Sequence, residues 1–189
     1  MKIYTRNGDN GTAGLFSGKR VLKCHDQINA FGDVDELNSA LGVLLALIPE
    51  DNEYLIAEIL EIQSDLLHIG AWLATARNST SLSSLKEISD KRVNAMEQAI
   101  DRMDATIDPI KRFILPNGNL AAAWSHMVRT ICRRAERNVV RLSMEASLGK
   151  PPKHLRGVLI YLNRLSDYLF VLARYCNLNM KLPDRLWKH

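Results

Sequence analysis

Asp33-Val34-Asp35-Glu36-Leu37-Asn38-Ser39-Ala40-Leu41-Gly42-Val43-Leu44-Leu45-Ala46-Leu47-Ile48-Pro49 is the stretch that decides the fold. Val34, Leu37, Leu41, Leu44, Leu45 and Ile48 recur at i, i+3 and i+4, the spacing of one helix face, and Pro49 ends the run. Asp33 is placed to cap this helix, with Asp35 and Glu36 in the first turn, where the helix dipole favours acids. The same period returns four more times. Leu55, Ile59, Ile62, Leu66, Ile69 and Leu73 predict a helix over about 52–76, and Val93, Met96, Ile100 and Met103 one over about 89–105. Trp124, Met127 or Val128, Ile131, Ala135 and Val139 predict one over about 119–148. Leu159, Leu162, Leu165, Leu169 and Ala173 predict one over about 156–177.

Between these runs lie breakers. Asn78 to Ser84 is a polar loop, Pro151-Pro152 separates the last two helices, and Pro109 with Pro116-Asn117-Gly118 leaves Phe113-Ile114-Leu115 as a short extended or turn segment. The expectation is an all-α, five-helix up-and-down bundle with an irregular glycine-rich N-terminal loop. A chain of 189 residues is most simply one domain, divided into a loop segment 1–32, a helical bundle 33–178 and a tail 179–189.

Composition excludes several classes. No run approaches the ~18 apolar residues of a membrane span, and the N-terminus has no apolar signal core, so the protein reads as soluble and cytoplasmic. Cys24, Cys132 and Cys176 have neither disulfide-framework nor zinc spacing, and Cys132 and Cys176 fall on apolar helix faces, where packing is their natural role. Glu-x-x-His pairs are missing and the five histidines share no metal-ligand spacing, so no metal site is assigned. A net charge of +4 suits an anionic small molecule; with no recognition module, nucleic acid is not a partner.

Three stretches carry candidate chemistry. Gly8, Gly11, Gly14 and Gly18 are interleaved with hydroxyls, Lys19 and Arg20. That is either a loop that wraps phosphates or a terminus with little order. It is not a P-loop: only three residues separate Gly14 from Gly18, and Arg20 follows Lys19. Arg129, Arg133, Arg137 and Arg141 are four apart on the fourth helix, with Glu136 among them. They form either a solvated face with pairs such as Arg133–Glu136 or an anion site. Asn163 and Asp167 share a face of the fifth helix.

Three blocks resemble one family. The first is Ile3-Tyr4-Thr5-x-x-Gly8-Asp9-x-Gly11-Thr12 with Gly32-Asp33-Val34-Asp35-Glu36-Leu37-Asn38-Ser39. The second runs from Phe113-Ile114-Leu115-Pro116 through Arg129-Thr130-Ile131-Cys132-Arg133-Arg134-Ala135-Glu136-Arg137, and the third is Tyr161-Leu162-Asn163-Arg164-Leu165-Ser166-Asp167. Together they resemble the PduO-type ATP:cob(I)alamin adenosyltransferases. The resemblance implies a homotrimer with sites between subunits, which moves the 5′-deoxyadenosyl group of ATP to cobalt with Mg²⁺ present. It implies that Thr5, Arg6, Asn7, Gly8, Ala13, Gly14 and Lys23 contact ATP from the loop, and that Arg133, Arg134, Glu136, Arg137 and Asn163 close the site. It further implies that Asp35 and Arg129 pair across a subunit boundary, that Phe113 displaces the lower ligand of cobalamin, and that the Trp187 tail covers the corrin. A cobalamin reductase and an adenosylcobalamin-dependent enzyme are the implied partners. This chain departs from the family pattern in having Arg6-Asn7 for the usual Lys-Thr and Asn10 where lysine is common.

Overall fold

The computed structural model describes residues 2–75, 84–146 and 153–188. The Asn78–Ser83 part of the polar loop, the predicted helix end near Leu148 and the Pro151-Pro152 break lie outside the described residues. Two short strands, β1 (Thr12–Gly14) and β2 (Arg20–Leu22), precede five helices: α1 (Asp26–Leu45), α2 (Glu53–Leu73), α3 (Asp90–Asp104), α4 (Leu120–Ala146) and α5 (Lys153–Asn179). All five sequence-predicted helices are present.

The helices neighbour one another in the order α2, α1, α4, α5, α3. Their apolar stripes meet in one core, with Leu37, Leu41, Ile59, Leu66, Val128, Ala135, Leu162 and Leu169 buried. Cys132 and Cys176 are buried too, and burial raises both thiol pKa values, that of Cys176 to about 11. Facing α2 across a cleft, α3 reaches over with long side chains: Arg92 Nε donates to Asp65 at 2.8 Å and Arg102 to Glu58 at 2.8 Å. The buried Tyr161 and Tyr168 hydroxyls of α5 donate to the same two acids.

Helix α1 begins about two turns earlier than the sequence suggests. His25 is its N-cap, its Nδ1 accepting from Gln27 N at 3.2 Å. The fully buried Ala30 extends the stripe one turn back from Val34, so the helix has reason to start before Asp33. Asp33 is not a cap; it faces α4, where Asn138 donates to it and Arg134 lies 3.4 Å away.

One connection is not a simple hairpin. Because α3 packs on α5 while α4 lies on the other side of α5, residues 105–119 cross over one end of the bundle. A knot of amides fixes where this crossover lands. Asn119 caps α4, its Oδ1 accepting from Ala122 N at 3.0 Å, and its Nδ2 donates to Cys176 O. Asn177, 3 % exposed, accepts from Asn119 N at 3.0 Å and donates to Asn117 O at 3.1 Å. Gly118, with φ +132°, makes room: a Cβ there would stand 1.9 Å from Asn177 Oδ1.

Gly118→Ala should therefore destabilise the protein by about 2–4 kcal/mol, through a strained φ and eviction of the Asn177 amide from its partners. Gly32→Ala, in an exposed helix position with nothing near, should instead stabilise by up to about 1 kcal/mol. Urea unfolding of both variants checks the pair; a Gly118→Ala midpoint equal to wild type would show that the knot is slack.

Candidate functional site

Three groups of side chains, on three parts of the fold, hold the candidate chemistry. The first is the N-terminal segment, which is a latched hairpin rather than an irregular loop. β1 and β2 pair antiparallel with Ala13 opposite Val21, and Gly11 and Gly18 take φ of +72° and +81°. Leu15 buries itself and Phe16 N donates to Ala74 O at 2.7 Å, pinning the hairpin tip to the end of α2. The Arg20 guanidinium binds Thr12 Oγ1 at 2.7 Å and also the Asn7 carbonyl. Lys23 N donates to Gly11 O at 2.9 Å, and Lys23 Nζ lies 3.3 Å from where a Cβ on Gly8 would stand. Thr5 Oγ1 accepts from Asn7 N at 3.4 Å. Thr5, Asn7, Gly8 and Lys23 are thus gathered on one side of the hairpin, with Ala13 and Gly14 on β1. Arg6 stands apart at φ +60°, its guanidinium over the Tyr4 ring. The glycines leave the backbone open to an anion. Sequence reasoning missed Arg20, whose role depends on a hairpin that two three-residue strands hardly advertise.

The second group lies on α4 and α5. The arginines at four-residue spacing do not form one uniform face. Each step of four drifts by about 40° around the helix, so Arg141 has turned far enough to meet Asp26 of α1 at 2.8 Å. Arg134 is also drawn to α1, pairing with Glu36 and Asp33. Arg133 and Arg137 are exposed, and no ion pair to either is found among the described residues. Glu136 does not pair with Arg133; it accepts from Asn163 Nδ2 of α5 at 3.2 Å. Asp167 pairs with Arg164. What remains is two free guanidinium groups beside a carboxylate–amide pair, a ready arrangement for a polyanion.

Arg129 sits one turn before Arg133. It is half-buried and its Nε is buried without an acceptor. Burial and the Arg133 charge both push its pKa down. Asp35 is exposed on α1 and joined to none of these groups among the described residues. Within one chain, then, Arg129 and Asp35 are not partners, and no hydrogen bond or ion pair links the hairpin to Arg133, Arg137 or Asn163 among the described residues.

The third group is an apolar pocket of about 940 Å³ between the crossover, α5 and the tail. Ile114 bridges Leu186 antiparallel, with Leu115 N donating to Arg185 O and Trp187 N to Phe113 O, each at 2.8 Å. The predicted extended segment is therefore real, and its partner is the tail. Phe113 is 79 % exposed and meets Trp187 edge-on at 6.3 Å. Arg174, 4 % exposed, holds both walls: its Nε donates to Asp184 of the tail at 2.7 Å and its Nη2 to Asp108 O of the crossover at 2.6 Å. An arginine amid an apolar helix stripe was the available signal for this clamp.

Phe170 joins the second and third groups. It lines the pocket and meets His126 of α4 edge-on at 5.9 Å. His126, Arg129 and Arg133 are at i, i+3 and i+7, one face of α4. Pocket and anion cluster are thus two ends of one α4–α5 face. Three or more His, Cys, Asp or Glu side chains able to cage a metal are absent among the described residues, and none of the described helices is long and apolar enough to cross a membrane.

His126 is 5 % exposed with Nδ1 unpartnered, and its pKa is lowered by burial and by Arg129, against a raising effect of Asp184. Since the folded pKa lies below the ordinary 6.5, the unfolded chain binds more protons as pH falls through that value. Stability should therefore drop below about pH 6.5, this one group contributing a slope of up to ~1.4 kcal/mol per pH unit. His126→Met should remove that component; equal pH–stability curves for both proteins between pH 7 and 5 would refute it.

The Cobalamin adenosyltransferase family model matches residues 3–176. The corrinoid adenosyltransferase MMAB of Bos taurus is 38% identical over 189 residues, covering 99% of this chain and 76% of that protein. A cobalamin adenosyltransferase of Cupriavidus metallidurans is 41% identical over 99% of this chain and 94% of its own. The chain spans about half, 49%, of the corrinoid adenosyltransferase PduO of Salmonella typhimurium, at 42% identity. Among solved structures, a phenylalanine-to-alanine variant of the PduO-type ATP:corrinoid adenosyltransferase from Lactobacillus reuteri, complexed with cobalamin and ATP, superposes with a TM-score of 0.90 at 37% identity and 100% coverage of both chains. An arginine-to-lysine variant of that enzyme complexed with ATP gives 0.87 at 38% identity, covering 98% of this chain and 100% of that one.

Proposed function

Since the chain belongs to the cobalamin adenosyltransferase family, we propose that it transfers the 5′-deoxyadenosyl group of ATP to cob(I)alamin, giving adenosylcobalamin and triphosphate. The observation that carries this reading is the pair of free arginines, Arg133 and Arg137, on the same α4–α5 face as an apolar pocket large enough for a cofactor-sized ligand. A polyanion at one end and a flat apolar macrocycle at the other are what a reaction between ATP and a corrinoid requires.

Cobalt(I) supplies its own electron pair. That pair forms the Co–C5′ bond while the C5′–O bond breaks and its electrons leave with triphosphate. The protein has two tasks. The first is alignment of C5′ with cobalt, which in well-oriented systems is worth up to ~7–11 kcal/mol. The second is to offset charge that builds on the leaving group. Arg133, Arg137, Lys23 and the hairpin N–H groups are the donors for this. Glu136, the carboxylate beside the arginines, would hold a Mg²⁺ ion that arrives with ATP, and the ion would supply charge neutralisation there. Phe113 projects from an extended segment and takes the space below the corrin where water or the lower ligand would bind. The metal then loses a ligand and is easier to reduce. Electrons come from a separate reductase, and the product passes to an adenosylcobalamin-dependent enzyme.

We place the site between subunits of a homotrimer in the cytoplasm. No hydrogen bond or ion pair joins the hairpin to the arginine cluster within one chain among the described residues, so a hairpin from one subunit over the cluster of its neighbour brings the two halves together. The half-buried Arg129, with an unsatisfied Nε, then finds its acceptor in Asp35 of the adjacent copy. A second reading, a carrier that binds ATP and cobalamin without turnover, is separated by product.

Mixing the protein with ATP, Mg²⁺ and chemically reduced cobalamin should release triphosphate, and no triphosphate with both ligands bound would favour the carrier. Arg133→Ala should cut turnover by about 10²–10³-fold, the cost of one donor to a developing anion, while leaving the melting temperature close to wild type. A near-normal rate would remove Arg133 from the site.

Asp35→Asn and Arg129→Ala should each lose activity, and the double variant should lose much less than the product of the two. Strictly multiplicative losses would show that the two residues are not partners.

A further inference from the structure

The rim of the apolar pocket carries charge that neither the fold nor the proposed chemistry uses. The pocket is lined on its apolar side by Ile110, Phe113, Ile114, Phe170 and Trp187, and at its edge by Lys111, Arg112 and Lys188. All three cations are exposed, and no ion pair to any of them is found among the described residues. This contrasts with Arg174 at the same end of the bundle, which is tied to Asp184. The register that bridges Ile114 to Leu186 sets Phe113 across from Trp187, and continued one residue beyond the bridge it would set Arg112 opposite Lys188. Like charges facing each other across an antiparallel pair destabilise it. Lys111 adds a third charge to the same edge. Packing gives no reason to assemble these cations, so the reason has to come from a ligand.

The occupant of the pocket suggests one. A complete corrinoid carries a nucleotide tail on its lower side, joined through a phosphodiester with one negative charge. When the lower ligand is displaced from cobalt, that tail has to leave the face of the macrocycle and pass the rim on the Phe113 side. We propose that Lys111, Arg112 and Lys188 form a subsite for the phosphodiester of the displaced nucleotide tail, so that corrinoids carrying the tail bind more tightly than those without it. The proposal rests on the corrinoid reading above. Arginine and lysine are the ordinary phosphate donors, and at an exposed rim each contributes modestly and in a salt-dependent way.

The test compares cobalamin with cobinamide, a corrinoid without the nucleotide, each titrated into the protein with MgATP present and followed by Trp187 fluorescence. Wild type should bind cobalamin about fivefold to tenfold more tightly, the size of a few exposed ion pairs acting together. That advantage should shrink as salt rises from 50 to 500 mM. The triple variant Lys111→Gln, Arg112→Gln, Lys188→Gln should lose the advantage and bind both corrinoids alike. The wild-type comparison needs no variant to fold. An equal loss for both corrinoids would make the rim a wall of the corrin pocket and overturn the proposal. An altered ATP affinity with no change in corrinoid preference would assign the cations to triphosphate instead. Slower electron delivery from a reductase, with corrinoid binding unchanged, would make them a protein-docking edge; either result overturns the subsite. If wild type binds neither corrinoid, the functional reading itself fails, an outcome distinct from binding both equally.

Discussion

The Asn177 amide, buried in the space left by the missing side chain of Gly118, is the constraint on which the functional end of this bundle depends. It ties the last turn of α5 to the N-cap residue of α4 and to the carbonyl before the glycine. The crossover can therefore leave α3, pass the end of α5 and enter α4 along only one path. Leu182 N returns to Asn177 O just after α5 ends, with Lys181 at φ +55°, so the tail starts from the same point. Two segments about seventy residues apart in sequence are launched from one amide and meet as the antiparallel pair that carries Phe113 and Trp187. An apolar residue at 177 could fill the volume, but it would leave the Asn119 N–H without an acceptor.

Helical phase then decides which arginines are spent on structure. A step of four residues overshoots a full turn by about 40°. Over the three steps from Arg129 to Arg141 this carries the side chain from a half-buried site to the α1 boundary, where Asp26 waits. Arg134, one residue off the stripe, meets Glu36 and Asp33 at the same boundary. These exposed pairs add little stability each. Their main consequence is to consume the acids of α1 that lie within reach, so that Arg133 and Arg137 keep their charge free. A phosphate chain arriving there need not displace an internal carboxylate.

This explains which parts were legible in the sequence. The five helices were, because each has a clean 3.6-residue stripe ending at a proline, glycine or polar run. The start of α1 was not. Asp33 has the chemistry of a cap, and only the cross-helix pairing with Asn138 and Arg134 reveals that it is used elsewhere. The hairpin was not legible either, since strands of three residues show no alternation and its latch, Arg20, reads as one more surface cation. Residue identities in the candidate site followed from the motif blocks. Their grouping did not: that Arg134 turns to α1, and that the extended Phe113 segment pairs with the tail, are long-range facts without a local sequence signature.

The separation of the three groups has a mechanical consequence. The pocket walls and the arginine cluster stand on α4 and α5, the most extensively packed pair of helices, and inherit the stiffness of the core. The hairpin is fastened differently. Its firm attachment is at the tip, through buried Leu15 and the Phe16–Ala74 hydrogen bond, while Thr5 to Gly11 is exposed apart from half-buried Gly8 and, among the described residues, bonds only within the hairpin, to Arg20 and Lys23 included. Segments with few buried contacts open at little cost. A rigid cluster with free cations can fix a phosphate chain in place first, and a segment hinged at its far end can then close over it. The reverse arrangement, a rigid loop and a yielding cluster, would leave the reacting carbon without a fixed position relative to the pocket. In the proposed reaction, placing the stiffness on the α4–α5 face would serve alignment, the larger of the two tasks.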